Sequence, residues 1–215
     1  MNAEPKELNL TAPKVLEAYG FAGDRLNFND VYNSTHINIQ VPHYVGMDQG
    51  HTVRARWASG RYTYNTETLT IGIPAPQNFK IPRLEVIDSI GSLVTVNYSV
   101  RTAPGTPLII SKSLTLNVDA QDFDLIEPRL SVDRKKVTVK FVNMGPGYTV
   151  RVRWHGTIVH DTETKPIVDN SSMAFDIPTS WIQENMGKLV LINYSVHRSG
   201  TTNNLMFSQL LRVML

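Results

Sequence analysis

The sequence predicts an all-β chain built as two tandem Greek-key β-sandwiches, and three observations predict it. The stretch Thr52-Val53-Arg54-Ala55-Arg56-Trp57 returns as Thr149-Val150-Arg151-Val152-Arg153-Trp154. Asn97-Tyr98-Ser99-Val100 returns as Asn193-Tyr194-Ser195-Val196 at almost the same spacing: Val53 and Val150 stand 97 positions apart (150 − 53), Tyr98 and Tyr194 96 apart (194 − 98). Between these landmarks, short runs alternate apolar and polar residues and are punctuated by Gly, Pro, Asn and Asp, the pattern of half-buried strands joined by turns. A repeat that covers nearly the whole of a 215-residue chain is a duplicated domain.

Residues 1–12 are polar and read as a loose lead-in; the first sandwich spans 13–119 and the second 120–215. Val15 to Tyr19 reads as a short first strand and Gly20 to Ser34 as loop. His36-Ile37-Asn38-Ile39-Gln40-Val41 alternates cleanly and Pro42 ends it. In the Trp57 strand, Val53, Ala55 and Trp57 share one face and Arg54 and Arg56 the other. Only one face of a sandwich strand joins the core, so the Trp face goes in. Arg61 to Thr70, with Tyr62, Tyr64, Thr66, Thr68 and Thr70, is strongly β-prone. Phe79 and Ile81 start a strand that Pro82 ends; Leu93 to Val100 puts Val94, Val96, Tyr98 and Val100 on one face; Ile109 to Val118 closes the copy. Asp119 to Asp124 is a short acidic linker. In the second copy, Arg129–Val132, Val137–Phe141, the Trp154 strand, Lys188–Val196 and a closing strand follow in the same order. Ser180-Trp181-Ile182-Gln183 has capping-box spacing and Gly187 can end a helical turn, so a short helix is expected over 181–186, with a counterpart near Ile87 to Ile90.

Composition bounds the function. Apolar residues make up 41% and net charge is +2, which supports a packed core and gives no strong electrostatic attraction to nucleic acid or anionic membrane. With no cysteine there are no disulfides, thiolate metal sites or cysteine nucleophiles. Met1 to Glu7 is charged and is not a secretory signal, and no apolar run is long enough to span a bilayer. The chain as given reads as soluble; a place outside the cell implies a removed signal, another export route or a longer parent chain, and a cytoplasmic place stays open.

The mid-domain tryptophan sits where the strand-C tryptophan of an immunoglobulin fold sits, and the later tyrosine lies on what would be strand F. Ile39 to Met47 with Gly50 and Thr52 to Trp57, and in the second copy Phe175-Asp176-Ile177-Pro178, Gly187, Val190, Tyr194, Val196 and Ser208 to Val213, resemble bacterial immunoglobulin-like repeats of the invasin and adhesin kind. The resemblance implies two immunoglobulin-like sandwiches serving as a spacer, presenting or adhesive element of a bacterial surface or secreted protein, either an excerpt of a longer array or a small stand-alone member.

No catalytic signature stands out: there is no Gly-x-Ser-x-Gly elbow, no serine–lysine pattern and no phosphate-binding loop. The expectation is no enzyme, no cofactor and no metal. His155 and His160-Asp161 flank a hairpin, but a third ligand is not evident, and they read as surface histidines of a β-turn. Arg54 and Arg56, like Arg151 and Arg153, form outward pairs that read as a solvated face, with an anionic ligand stripe as the alternative. Asn97-Tyr98-Ser99 and Asn193-Tyr194-Ser195 fit the glycosylation pattern by accident of strand composition. Tyr62 and Tyr64 could form a sugar platform, the alternative being cross-strand packing. Recognition by loops is placed at the B–C and F–G ends: Tyr44, Met47, Asp48, Pro104 and Thr106 in the first copy, Asn143, Tyr148, Thr201 and Asn203 in the second. The partner there would be a protein or a glycan, with neighbouring immunoglobulin-like domains if the chain belongs to a longer array. The alternative functions are a carbohydrate-binding module and an accessory domain of a hydrolase.

Overall fold

The computed structural model describes residues 8–215. The first seven residues of the expected lead-in lie outside the described residues. The rest of it is not loose: Leu10 is buried, and its carbonyl accepts from the Lys112 amide at 3.0 Å. The chain divides into two compact units, Met1–Asp119 and Ala120–Leu215.

Unit 1 runs β1 (Lys14–Val15), β2 (Arg25–Leu26), β3 (His36–Val41), β4 (Thr52–Ser59), β5 (Thr63–Asn65), β6 (Leu69–Thr70), β7 (Gln77–Pro82), α1 (Arg83–Ile87), β8 (Leu93–Arg101), β9 (Ile109–Ile110) and β10 (Leu114–Val118). One sheet has the order β1-β3-β7. The other has the order β2-β10-β8-β4-β5, with β6 also on β4 and β9 also on β8. All pairings are antiparallel except β2 with β10. Unit 2 repeats the plan with β11 (Arg129–Leu130), β12 (Lys136–Val139), β13 (Tyr148–His155), β14 (Val159–Asp161), β15 (Lys165–Pro166), β16 (Met173–Asp176), α2 (Thr179–Gln183), β17 (Leu189–Arg198), β18 (Met206–Phe207) and β19 (Leu211–Met214). Its sheets are β11-β12-β16 and β14-β13-β17-β18, with β15 on β13 and β19 on β17. Each unit is an immunoglobulin-like Greek-key sandwich in which the segment after the Trp strand pairs with that strand rather than with the opposite sheet.

The alternation read from the sequence sets the faces. In unit 1, Val53, Ala55, Trp57, Val94, Val96, Tyr98 and Val100 are buried, as are Ile37, Ile39, Val41, Phe79 and Ile81 of the other sheet. In unit 2, Val150, Val152, Trp154, Val190, Ile192, Tyr194 and Val196 join Val137, Val139, Phe141, Phe175 and Ile177 in one cluster.

Two expected long strands are broken, in the same way in both units. The run Arg61–Thr70 yields only β5 and β6, because Thr66 Oγ1 stands in for a backbone carbonyl. It accepts from the Ala55 amide at 3.1 Å while the Thr66 amide bonds the Ala55 carbonyl at 3.0 Å. In unit 2, Thr162 Oγ1 takes the Val152 amide at 3.0 Å and the Thr162 amide bonds the Val152 carbonyl at 2.9 Å. Ile109–Val118 breaks between β9 and β10 by the same device. Ser111 Oγ accepts from the Tyr98 amide at 3.0 Å and donates to the Lys112 carbonyl, as Ser208 Oγ accepts from Tyr194 at 2.9 Å and donates to Gln209. Ser and Thr hydroxyls compete for backbone groups in this way wherever a ladder can be interrupted.

The helices also differ from expectation. Each begins one residue after the repeated Ile-Pro, with Pro82 and Pro178 at the N-cap and no side-chain capping bond. Ser180 is therefore inside α2 rather than capping it, and α1 starts at Arg83 rather than near Ile87. Gly91 (φ +74°) and Gly187 (φ +73°) follow, and their amides bond the carbonyls of Val118 and Leu215 at 3.0 and 2.8 Å. The left-handed backbone there is open to glycine at no steric cost. The linker is shared out residue by residue. Asp119 takes Arg25 at 2.8 Å and the Tyr19 hydroxyl within unit 1, and Gln121 brackets the Phe207 backbone at 2.7 and 3.0 Å within unit 2. Among the described residues, no helix is long and apolar enough to cross a membrane.

Truncating either buried tryptophan, Trp57→Ala or Trp154→Ala, should cost about 3–5 kcal/mol in urea unfolding, the cost of deleting a large core aromatic. An unchanged midpoint would place that strand face outside the core. Ser111→Ala and Ser208→Ala should each cost about 1–3 kcal/mol by orphaning a buried tyrosine amide. A loss below about 0.5 kcal/mol would mean that the strand closes its break without the hydroxyl.

Candidate functional site

The loops before β4 and after β8 meet at one end of unit 1, because Thr52 stands opposite Arg101. The same end of unit 2 is closed by Tyr148 opposite Arg198 and by the Ser199 amide bonding the Gly147 carbonyl at 2.8 Å.

Of the residues expected to recognise a partner there, two are in the core. Tyr44 is 3% exposed: it stacks on His51 and Tyr98, and its hydroxyl lies 3.1 Å from His51 Nδ1. Burial pushes the Tyr44 and Tyr98 hydroxyls up to about 12. Met47 is 7% exposed. A loop contact residue needs a free side chain, so neither can serve; Phe141 and Met144 fill the corresponding places in unit 2. Asp48, Pro104, Asn143 and Asn203 are exposed, Asn143 with φ +56°. Thr106 spends its hydroxyl on its own turn, bonding Ala103, and Thr201 bonds the Arg198 carbonyl. Tyr148 is half-buried, edge-on to Phe123 at 5.4 Å between ring centroids.

The tyrosine pair does not form one outer platform. Tyr64 lies in β5 directly opposite Trp57, hence on the core-facing side, and is half-buried, whereas Tyr62 lies in the hairpin turn and is 40% exposed.

The histidines of unit 2 do not converge. His160 stands opposite Trp154, in the place of Tyr64, and stacks on Trp181 at 4.6 Å with 8° between planes; its Nε2 lies 2.9 Å from Glu184. His155 Nε2 faces Asn193 Oδ1 at 3.2 Å. Asp161 turns to the arginines instead: Arg153 grips it with two bonds of 2.6 Å, and Arg151 lies at 3.5 Å. Among the described residues, no group of three or more His, Asp or Glu side chains is placed to hold a metal ion.

Sequence reasoning missed one buried node. Asn185, fully buried, accepts from the Thr157 amide at 2.7 Å and donates to the Trp181 carbonyl at 2.7 Å. A Cβ on Gly156 would lie 2.3 Å from Asn185 Oδ1, so only glycine fits there. In unit 1 the matching place is taken by Ser89, which accepts from Trp57 Nε1 at 3.0 Å. Trp154 Nε1 is buried with no partner among the described residues. The signal that could have shown these nodes is the alignment of the copies itself. Ser89 and Asn185 share a register, and Thr66-Glu67-Thr68 recurs as Thr162-Glu163-Thr164.

No protein-family model matches the chain, and no curated protein matches it. Solved structures similar to it include the BSP domain of a biofilm-associated protein, at 15% identity and a TM-score of 0.30, covering 94% of this chain and 29% of that one. A tetra-tandem repeat from the extending region of a large adhesion protein is 12% identical, with a TM-score of 0.38 and coverage of 97% and 49%. A 1.5-MDa bacterial ice-binding adhesin, solved to explain its retention on the host cell surface, is 12% identical, with a TM-score of 0.36 and coverage of 99% and 65%. The chain thus spans less than two thirds of the length of each of these structures.

The Arg153 hydrogen bonds hold the Asp161 carboxyl below the usual carboxylate range, against the opposing pull of burial. A lowered folded-state pKa stabilises fully above the unfolded aspartate value of about 3.9 and is lost as pH falls through the folded value. Asp161→Asn should therefore be less stable than the parent at neutral pH, and the gap should close on acidification from about pH 5 to about pH 2. Urea midpoints of both proteins across that range measure it; a gap that does not change with pH would remove the ion pair as its cause.

Proposed function

We propose that the chain is a non-catalytic pair of immunoglobulin-like modules, a structural or adhesive element of a bacterial surface or secreted protein. The observation that supports this reading is what the duplication keeps. The inward Trp and Tyr, the hydroxyl-bonded strand breaks and the glycines after the helices recur in both units, and all of them are framework. The side chains at the loop tips recur far less. Of Asp48, Pro104 and Thr106 at one loop end and Asn143, Tyr148, Thr201 and Asn203 at the other, only the two threonines share chemistry from copy to copy, and both spend their hydroxyls on their own turns. A scaffold that conserves its frame and varies its tips suits spacing and presentation, with a protein or glycan partner at the loops and further immunoglobulin-like domains as chain neighbours. A sugar platform of Tyr62 and Tyr64 draws no support from their opposite exposure.

An antiserum raised against the 215 residues should label intact cells that express the full-length reading frame, and protease added outside should remove the label. Labelling that needs cell lysis would overturn the surface reading.

A further inference from the structure

The outward face of the β4–β8 pair in unit 1 carries a concave site of a kind that framework packing does not require. A cavity of about 220 Å³ opens there among Thr52, Arg54, Thr68, Ser99, Arg101 and Leu108. Register explains why these side chains meet. Thr52 stands opposite Arg101 and Arg54 opposite Ser99, and opposed residues of an antiparallel pair project to the same side. Thr68, between β5 and β6, adds a third hydroxyl from the neighbouring edge. Among the described residues no carboxylate lines the cavity, and Glu67, the next residue to Thr68, is not part of its wall.

Both cations are short of acceptors. Among the described residues Arg54 has no ion pair or hydrogen bond, and the Nε of Arg101 is buried without a partner. A buried donor left unmade costs free energy that an arriving acceptor recovers, and guanidinium forks match oxyanions in geometry and charge.

The second unit is an internal control. It keeps Thr149, Arg151, Thr164 and Ser195 at the matching places but has His197 for Arg101. Above all it has Asp161 where unit 1 has Asn65, each opposite the second arginine of its strand. Asp161 supplies the anion from within, reaching both Arg153 and Arg151. Asn65 is neutral and supplies none.

We propose that unit 1 binds an oxyanion-bearing small ligand in this cavity, with Arg54 and Arg101 as its cationic donors and Thr52, Thr68 and Ser99 as supporting hydroxyls. Pockets for drug-sized molecules run to about 300–1,000 Å³. This smaller one suits a single acidic unit, such as an acidic monosaccharide or one residue of a longer acidic chain. Carboxylate, sulfate and phosphate share the required chemistry.

Calorimetric titration of the whole chain at low salt with glucuronate, glucose 6-sulfate, glucose 6-phosphate and glucose tests it, and the three acids separate the anion types. At least one acid should bind saturably with a Kd in the millimolar range or tighter, and glucose should not. Arg54→Gln and Arg101→Gln should each weaken binding about tenfold or more, a loss on the scale of a charge-assisted hydrogen bond. Asn65→Asp, which installs the internal anion of unit 2, should weaken it as well, while Arg151→Gln in unit 2 should leave it unchanged. Should Arg101→Gln not fold, Arg54→Gln and the exposed Asn65→Asp still decide the matter. The proposal is overturned if no acid binds, if glucose binds as well as the acids, if binding survives Arg54→Gln and Asn65→Asp, or if Arg151→Gln abolishes it.

Discussion

Each unit depends on one pairing, that of its Trp strand with its Tyr strand. Thr52 to Ser59 lies antiparallel to Val94 to Arg101, and Tyr148 to His155 to Leu191 to Arg198, each over eight consecutive residue pairs. A continuous ladder of that length fixes which face is buried, since a slip of one residue would turn every side chain over. Trp57 is locked opposite Val96, and Trp154 opposite Ile192. With those faces set, the three-stranded sheet has one surface to cover, and the edges have only to avoid competing with the central pair.

The edges do so by breaking. At Thr66 and Thr162 on one side, and at Ser111 and Ser208 on the other, a hydroxyl replaces one backbone acceptor and the strand restarts beyond it. Short, interrupted edge strands present few unpaired backbone groups in a row, which is one way a sheet limits edge-to-edge association. The copies differ in length by one residue near the same places. From Trp57 to its partner Tyr64 there is one residue more than from Trp154 to His160. The hairpin turn absorbs the difference, so the ladder on either side keeps its register.

The frame was legible in the sequence because alternation is a direct print of burial: Val94, Val96, Tyr98 and Val100 could face only one way. The breaks were not legible, because threonine and serine raise β-propensity as strand residues and end a strand as hydrogen-bonding ones, and composition does not separate the two roles. The helix start was misplaced for a related reason. Ser180 has the chemistry of a cap, but Pro178, with its fixed φ, already stands at the N-cap and the helix starts at Thr179. Among the candidate site residues, Tyr44 and Met47 read as loop because turn residues surround them, yet their side chains turn back onto Tyr98 and the core. Loop position in the chain does not say where a side chain goes. The outward arginines were legible as a row and illegible as a site, since what distinguishes the two rows lies on a neighbouring strand.

That distinction rests on two positions, and on one above all. Asn65 and Asp161 occupy the same register, each across from the second arginine of its strand. With aspartate there, one carboxylate answers both arginines on the sheet face, and Asn193 and Ser195, which stand opposite Arg153 and Arg151, are 2% and 8% exposed. With asparagine, the same scaffold leaves Arg54 without a partner among the described residues, and Arg101 joins it where unit 2 has only His197. The pairing of the strands is the same in the two outcomes; the location of the compensating anion differs. Duplication therefore yields one unit whose sheet face is closed on itself and one whose face is electrostatically incomplete, and an incomplete face is the physical precondition for holding something else.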